Sequence, residues 1–534
     1  MGIQQTAAEL AERHWDVIVI GTGIGGGTLG RRLAEAGRSV LFLEFGQAGY
    51  RREQQGLDSE LGDRTARELR GYWPVPMRAR IDGRESTFYS PTGAGVGGSS
   101  VFYAASLERP EPHDLDDSPE RPHPTGGWPV SYADFAPYLT EAERMYHVCG
   151  TPDPLGSDTA DGICEPPDMT TGDVAMLKGL EASGLHPYRV HMGLKYLRDC
   201  QECIGFKCPR SCKMDGRSAG VEPALATGRA SLLTGCRVRR LEHADGRVQA
   251  VVADVAGGEM RFHADEFVLA AGALSSPRVL LASKSEEATE GLGNSAGLVG
   301  RGLMFHLNEM IALWPKRGTE FAGPTKALAL RDFYYREGAR FGSFQAMGVD
   351  ATYGSIVHFL NGMFDRSFLR RFRTLREFTR IPAAIAAKLF GDAKIFTGIL
   401  EDLPYPENRV LLSAENPDEI IVEYNLAREL LERRRKFRRA IRKGLKGHRF
   451  FFLGFGPELN FGHPCGTLPF GAQQANSVLD MECRVHGVAN LTVADASFMP
   501  TSTGVNPSLT IAANALRVAD CMLARGTVEM QEAV

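Results

Sequence analysis

An α/β fold of two interleaved domains is what this chain predicts, and three observations predict it. The first is an apolar, β-branched run, Asp16-Val17-Ile18-Val19-Ile20, that stops at the turn Gly21-Thr22-Gly23-Ile24-Gly25-Gly26. That turn opens a helix-prone segment ending near Ala36-Gly37, and a second apolar run, Ser39 to Leu43, then delivers Glu44. The second is the run Glu266-Phe267-Val268-Leu269, which again enters a glycine turn, Ala271-Gly272-Ala273, before a helix start at Ser275-Ser276-Pro277. The third is length, since 534 residues exceed what one simple core organises.

The opening unit reads as strand, G-x-G-x-x-G (Gly21, Gly23, Gly26), helix, strand and acid, a Rossmann-like arrangement for a dinucleotide. Gly21 permits the tight turn, Gly23 lets the backbone approach a pyrophosphate, and Gly26 lets the helix pack on the strand. The unpaired N–H groups and positive dipole end of the helix then face the phosphates. Glu44 stands where ribose hydroxyls need a two-oxygen acceptor.

A second glycine-rich element, Pro91 to Ser100, reads as small residues laid against the cofactor, where a larger side chain would collide. Residues 108–172 are rich in Pro, Asp and His and predict an excursion away from the nucleotide domain. Alternating apolar residues then predict strands at 236–241, 248–254 and 266–272. The region 302–455 mixes strand-like runs with a charged helix whose segment Arg433–Lys446 is densely basic.

A hydrophobic fraction of 43% and a charged fraction of 24% are those of an ordinary soluble globular protein. The net charge of -4 gives no general affinity for nucleic acid or anionic surfaces. The first residues, Met1 to His14, lack a basic n-region and an apolar h-region, and no apolar run reaches about 18 residues. The expected location is the cytoplasm.

The C-terminal part carries Phe461-Gly462-His463-Pro464-Cys465-Gly466-Thr467, then Asn490 to Pro500, then Gly504-Val505-Asn506-Pro507-Ser508-Leu509-Thr510. With the opening unit, the Gly97-Gly98-Ser99-Ser100 loop and Glu401-Asp402-Leu403-Pro404, this resembles the glucose–methanol–choline family of flavin oxidoreductases, in the family's order and from Asp16 to Asp520. The resemblance implies FAD, a discontinuous FAD-binding domain at 1–110, 214–301 and 456–534, and an α+β substrate-binding domain on an antiparallel sheet at 111–213 and 302–455. It puts Gly21, Gly23, Gly26 and Glu44 on the ADP half, Val96, Gly98 and Ser99 along the pyrophosphate and flavin, and Val238 near the adenine. Asp495, Ala496, Asn506, Pro507 and Leu509 would lie near the ribityl chain and isoalloxazine.

Alcohol oxidation removes a proton from oxygen and a hydride from carbon, with the flavin accepting the hydride. A base titrating near the working pH is needed, and histidine suits it. His463 resembles the family's active-site histidine, and Asn506 aligns with the partner position that is histidine or asparagine across the family. His486, in a Val-His-Gly-Val turn, reads as structural. Some members attach FAD through a histidine just after the second glycine loop, but Ser100-Val101-Phe102-Tyr103-Ala104 has none, so non-covalent FAD is expected.

Two questions stay open at this level. Cys200, Cys203, Cys208 and Cys212 form C-x2-C-x4-C-x3-C, which reads as free thiols, as one or two disulfides, or as ligands of a metal or iron–sulfur cluster. A family relative carries an iron–sulfur loop in a corresponding region with a different spacing. The other six cysteines read as buried small hydrophobes. The stretch 366–390 places apolar residues at 368, 369, 372, 375 and 378 with arginines between them. It predicts a helix packed on the domain with a solvated basic face, or else a lid or membrane-surface contact suited to a lipophilic substrate or quinone.

The function implied is oxidation of a sugar, polyol or other primary or secondary alcohol, by an oxidase or dehydrogenase that passes electrons to O2, a quinone or a redox protein. The alternative is a flavin-containing non-redox member such as a lyase.

Overall fold

The computed structural model describes residues 5–49, 63–157, 161–316, 325–349, 353–454 and 456–532. Its first sheet runs Ala230–Leu233, Val40–Leu43, His14–Ile20, Gly258–Leu269, Arg247–Val255 and Arg237–Ala244, with Leu491–Val493 also paired to Gly258–Leu269. The centre is parallel: Ile18 lies opposite Leu41 on one side and Phe267 on the other. Val17 to Ile20 are buried on both faces, which is why this strand reads as a continuous apolar run and not as an alternation. The helix Ile24–Glu35 covers one face and packs against the long C-terminal helix Ser508–Glu532, with an Arg32–Asp520 ion pair at 2.9 Å.

The second sheet is antiparallel throughout: Phe450–Phe452, Met304–Leu313, Lys394–Leu400, Phe344–Ala346, Leu328–Leu330 and Tyr188–Arg189. Leu459–Cys465, the strand that carries His463, also pairs with Met304–Leu313. A four-stranded sheet joins Arg409–Leu412 and Ile420–Tyr424 to Met77–Ile81 and Arg84–Phe88.

The densely basic helix, Arg428–Gly444, turns Leu430, Phe437 and Ile441 into the core under the second sheet. Its arginines are not simply a solvated face. Arg434 and Arg438 both bond the buried Glu309 carboxylate, and Arg433 donates to the Glu401 carbonyl at 2.6 Å. A burial-blind reading of the charge run misses this, because Glu309 and Glu401 lie far away in sequence.

The segment 366–390 is not one continuous helix. Two 3-10 turns, Phe368–Arg371 and Arg373–Thr379, precede a helix at Arg380–Phe390, and Phe368, Phe372, Leu375 and Phe378 face solvent. No described helix is long and apolar enough to cross a membrane.

Candidate active site

A cavity of about 390 Å³ is lined by Gly21, Gly23 and Glu44 from the opening unit, Gly98 and Ser99 from the second glycine loop, and Val238. His463, Asp495, Ala496, Asn506 and Pro507 line the same cavity. Three of the other candidates stand behind its wall. Gly26 packs the helix onto the turn, Val96 lies in the apolar core, and Leu509 is buried in the C-terminal helix.

The glycine turn has the shape a pyrophosphate requires. Gly21 has φ +100°, and a Cβ there would lie 2.4 Å from the Ala270 carbonyl oxygen, while one at Gly26 would lie 2.2 Å from that of Gly21. A Cβ at Gly23 would meet nothing within 4 Å. Gly23 is also the N-cap of Ile24–Glu35 and has no capping side chain, so the first helical amides remain for an anion. The second glycine loop closes on this turn: Gly97 N–H donates to the Thr22 hydroxyl at 3.1 Å, and a Cβ on Gly98 would sit 3.1 Å from Gly23 Cα.

Glu44 ends its strand buried, accepting from the amides of Thr22 and Gly46, each at 3.1 Å, and from the Thr22 hydroxyl. Burial pushes its pKa up to about 6, and the Thr22 hydroxyl and neighbouring amides oppose the rise. Asp495 is committed to the chain itself, accepting from Gly272 N–H and Ser497 N–H at 2.8 Å each and from the Ser276 hydroxyl. It ties the turn after Gly258–Leu269 to the segment after Leu491–Val493.

His463 is half-buried, and its Nδ1 lies 3.1 Å from Nδ1 of His306 on the neighbouring strand Met304–Leu313. His306 is fully buried, with Nε2 3.0 Å from the Thr503 carbonyl, which can only accept. Nε2 of His306 therefore carries a proton. Burial holds this ring down at about 4, so it is neutral and its Nδ1 is a lone pair. Two lone pairs do not face each other at this distance, so Nδ1 of His463 holds a proton and donates it to His306. That leaves Nε2 as the basic nitrogen of His463. Asn460 Nδ2 also lies 3.1 Å from His463 Nδ1, in the orientation in which Asn460 Oδ1 accepts from Gly462 N–H at 3.0 Å; turning the amide over presents Oδ1 to the Nδ1 proton instead. Desolvation, helped by His306 and Lys326, holds His463 well below 6.5.

Asn506 is fixed from one side. Its Oδ1 accepts from Gln345 Nε2 at 2.6 Å, and Gln345 Oε1 accepts from the Ser106 hydroxyl at 2.6 Å. Nδ2 is left as a donor with no bond to a described residue. His306, Gln345 and Ser106 carry no sequence signal of their own. Gln345 sits in a Phe-Gln-Ala strand and His306 in an apolar one, and only the pairing of strands brings either to the site.

His486 lies outside the cavity, bonded to Ser477 Oγ at 2.9 Å. All ten cysteines are free thiols, so the disulfide alternative for the loop at 200–212 is not realised. The loop instead wraps a buried lysine. Lys213 Nζ donates to the carbonyls of Tyr103 at 3.1 Å, Cys203 at 2.9 Å and Phe206, and burial lowers its pKa to about 8. Among the described residues, no three ligand atoms of the loop come within 4.8 Å of one another; the set that does is His147, Cys149 and Cys164. Cys149 and Cys164 are therefore neighbours of each other and of a histidine, not scattered fillers, and Cys164 is only half-buried.

Comparison with known proteins agrees with this geometry. Models of the GMC oxidoreductase family match residues 15–308 and 456–515. The chain is similar to paromamine 6'-oxidase of Streptomyces fradiae, 30% identical over 95% of this chain and 91% of the relative. It is also similar to 6'''-hydroxyparomomycin C oxidase of Streptomyces lividus, 31% identical with the same coverage. Among solved structures, a formate oxidase variant of Aspergillus oryzae RIB40 shares the fold at a TM-score of 0.67, with 16% identity, over 96% of this chain and 98% of that one. The chain belongs to the GMC oxidoreductases, and its chemistry is the FAD-dependent oxidation of an alcohol group.

Proposed function

We propose that His463 takes the alcohol proton while Asn506 orients the alcohol oxygen, on a primary hydroxyl of a sugar or amino-sugar substrate. The observation that carries this reading is that both side chains line the cavity that also holds the dinucleotide turn and Glu44. The names of the two Streptomyces relatives support the substrate class. Bound in this cavity, FAD supplies the hydride acceptor. The chain does the rest. Glu44 accepts from ribose hydroxyls, and the uncapped amides after Gly23 bind phosphate. His463 Nε2 accepts the hydroxyl proton, with Nδ1 anchored on His306. Asn506 Nδ2 donates to the developing alkoxide, with Oδ1 anchored on Gln345.

Anaerobic mixing of the holoenzyme with a panel of primary alcohols tests this. Bleaching of the oxidised flavin band by amino-sugar or sugar hydroxymethyl groups is expected, and no bleaching by any alcohol would favour a lyase. Asn506→Ala is expected to slow flavin reduction by about 1.5–3 kcal/mol of barrier, the worth of a charge-assisted hydrogen bond. Asn506→His should retain part of the rate and add a second ionisation to the profile, and Asn506→Leu should be slowest, while the Ala and Leu variants keep the wild-type acidic limb. Equal rates in stopped-flow would assign Asn506 to the turn alone.

The FAD is proposed to be non-covalent, since Ser100 to Ala104 beside the cavity offers no histidine. The two-domain division remains our reading, with Leu459–Cys465 crossing from the FAD-binding unit into the antiparallel sheet. Ten free thiols favour a reducing compartment, in keeping with the cytoplasm. The density of thiols at 200–212 is what supports a cluster there, and visible absorption beyond the flavin bands in purified protein is its test. O2, a quinone or a redox protein would reoxidise the flavin.

A further inference from the structure

The helix Arg380–Phe390 is inside out. Ala383 is buried and Phe390 packs by Trp314, ring centroids 5.6 Å apart, so small residues and the helix end hold it to the protein. Ile381, Ile385 and Leu389, at i, i+4 and i+8, face solvent and are each more than half exposed. The preceding turns expose further large apolar side chains, with Phe368 at 74% exposure and Phe378 at 61%. Phe372 and Leu375 are exposed as well, and Phe451 adjoins the surface through Phe390, 5.9 Å between rings. Isolated exposed apolar residues need no explanation; a contiguous row of large ones does.

Charge accompanies this row. Residues 366–390 hold six arginines and Lys388 against the single acid Glu377, in a chain whose net charge is -4. Arg371, Arg373, Arg380 and Lys388 are exposed among the apolar side chains. Two copies pairing on this face about a two-fold axis would bring like-charged clusters together. A surface rich in phosphate headgroups instead meets both features, taking the arginines at headgroup level and the Phe, Ile and Leu side chains just beneath.

We infer that this face is a docking surface for an anionic lipid bilayer, on which the enzyme lies without spanning it. The inference is independent of the roles assigned to His463 and Asn506.

Co-sedimentation of the FAD-loaded protein with phosphatidylcholine vesicles, with and without phosphatidylglycerol, tests it. Binding is expected to the anionic vesicles, to be much weaker to phosphatidylcholine alone, and to fall as salt is raised. The quadruple variant F368S/F378S/I381S/L389S should partition on the order of tenfold or more less strongly, with flavin spectrum and soluble alcohol oxidation unchanged. R371E/R373E should lose the preference for phosphatidylglycerol. In F378W, quenching of the introduced fluorophore by brominated lipid should report insertion. No binding to either vesicle, or equal binding by wild type and the quadruple variant, would overturn the inference. So would a concentration-dependent dimer that the quadruple variant disperses without any vesicle binding, which would make a second copy the occupant.

Discussion

His463→Ala is expected to slow flavin reduction by about 10²–10⁴-fold while the protein still purifies yellow. The loss follows from removing the basic Nε2 that the His306 contact leaves available, and FAD retention follows because the turn around Gly23 and Glu44 is untouched. Burial and the neighbouring His306 and Lys326 hold His463 low, so the wild-type rate should persist below pH 6.5 before falling as the base protonates. The companion His306→Leu removes the acceptor for Nδ1–H. It should cost roughly 10–10²-fold, less than loss of the base itself, and shift the acidic limb, since the ring's Nδ1–H loses its acceptor. A merely structural His306 would lower the yield of folded protein and leave that limb in place. Stopped-flow reduction across pH, on enzyme normalised to bound flavin, reads both variants. A His463→Ala rate within a few-fold of wild type would reject the assignment.

The largest stability effect should come from Glu309→Ala. Glu309 is 1% exposed and its two oxygens are taken by Arg434 and Arg438. Removing it leaves two guanidinium groups with the carbonyls of Gly456 at 2.7 Å and Gly454 at 3.1 Å as remaining partners, and no carboxylate. Breaking a buried pair from one side typically costs about 3–5 kcal/mol. Glu309→Leu combined with Arg434→Leu and Arg438→Leu should recover much of that loss, since no unpaired charge remains. Thermal release of flavin fluorescence compares wild type with the two variants. An unchanged midpoint in Glu309→Ala would mean that water already serves the arginines.

How much was legible differs by residue. The dinucleotide turn is local: strand, glycines, helix and acid lie within 44 residues, so spacing alone carries the physics. His463 and Asn506 are legible because each sits in a short motif. Their supports are not. His306 meets His463 across 157 positions of sequence, and Gln345 meets Asn506 across 161. No local pattern encodes such a meeting, because it depends on which strands pair. Charge and hydropathy also mislead where burial inverts them. The basic run Arg433–Lys446 puts Arg434 and Arg438 on the buried Glu309, and the stripe at 368–378, open to a packed or a surface-contact reading, turns Phe368, Phe372, Leu375 and Phe378 outward.

The segment 502–504 fixes the donor to the layer that carries the base. The Ser502 hydroxyl receives Asp402 N–H at 2.7 Å, the Thr503 carbonyl receives His306 at 3.0 Å, and the Gly504 carbonyl receives Ser343 N–H at 2.8 Å. Two residues later the chain reaches Asn506 and then enters the helix that packs on the opposite layer. The donor is thus clipped to the same antiparallel sheet that carries the base, although its own helix belongs elsewhere. The distance between the two groups is set by a three-bond clasp and not by the seam between layers. A one-residue insertion between Gly504 and Asn506 would displace the donor by about 3.8 Å from the base while the clasp at 502–504 stays in place.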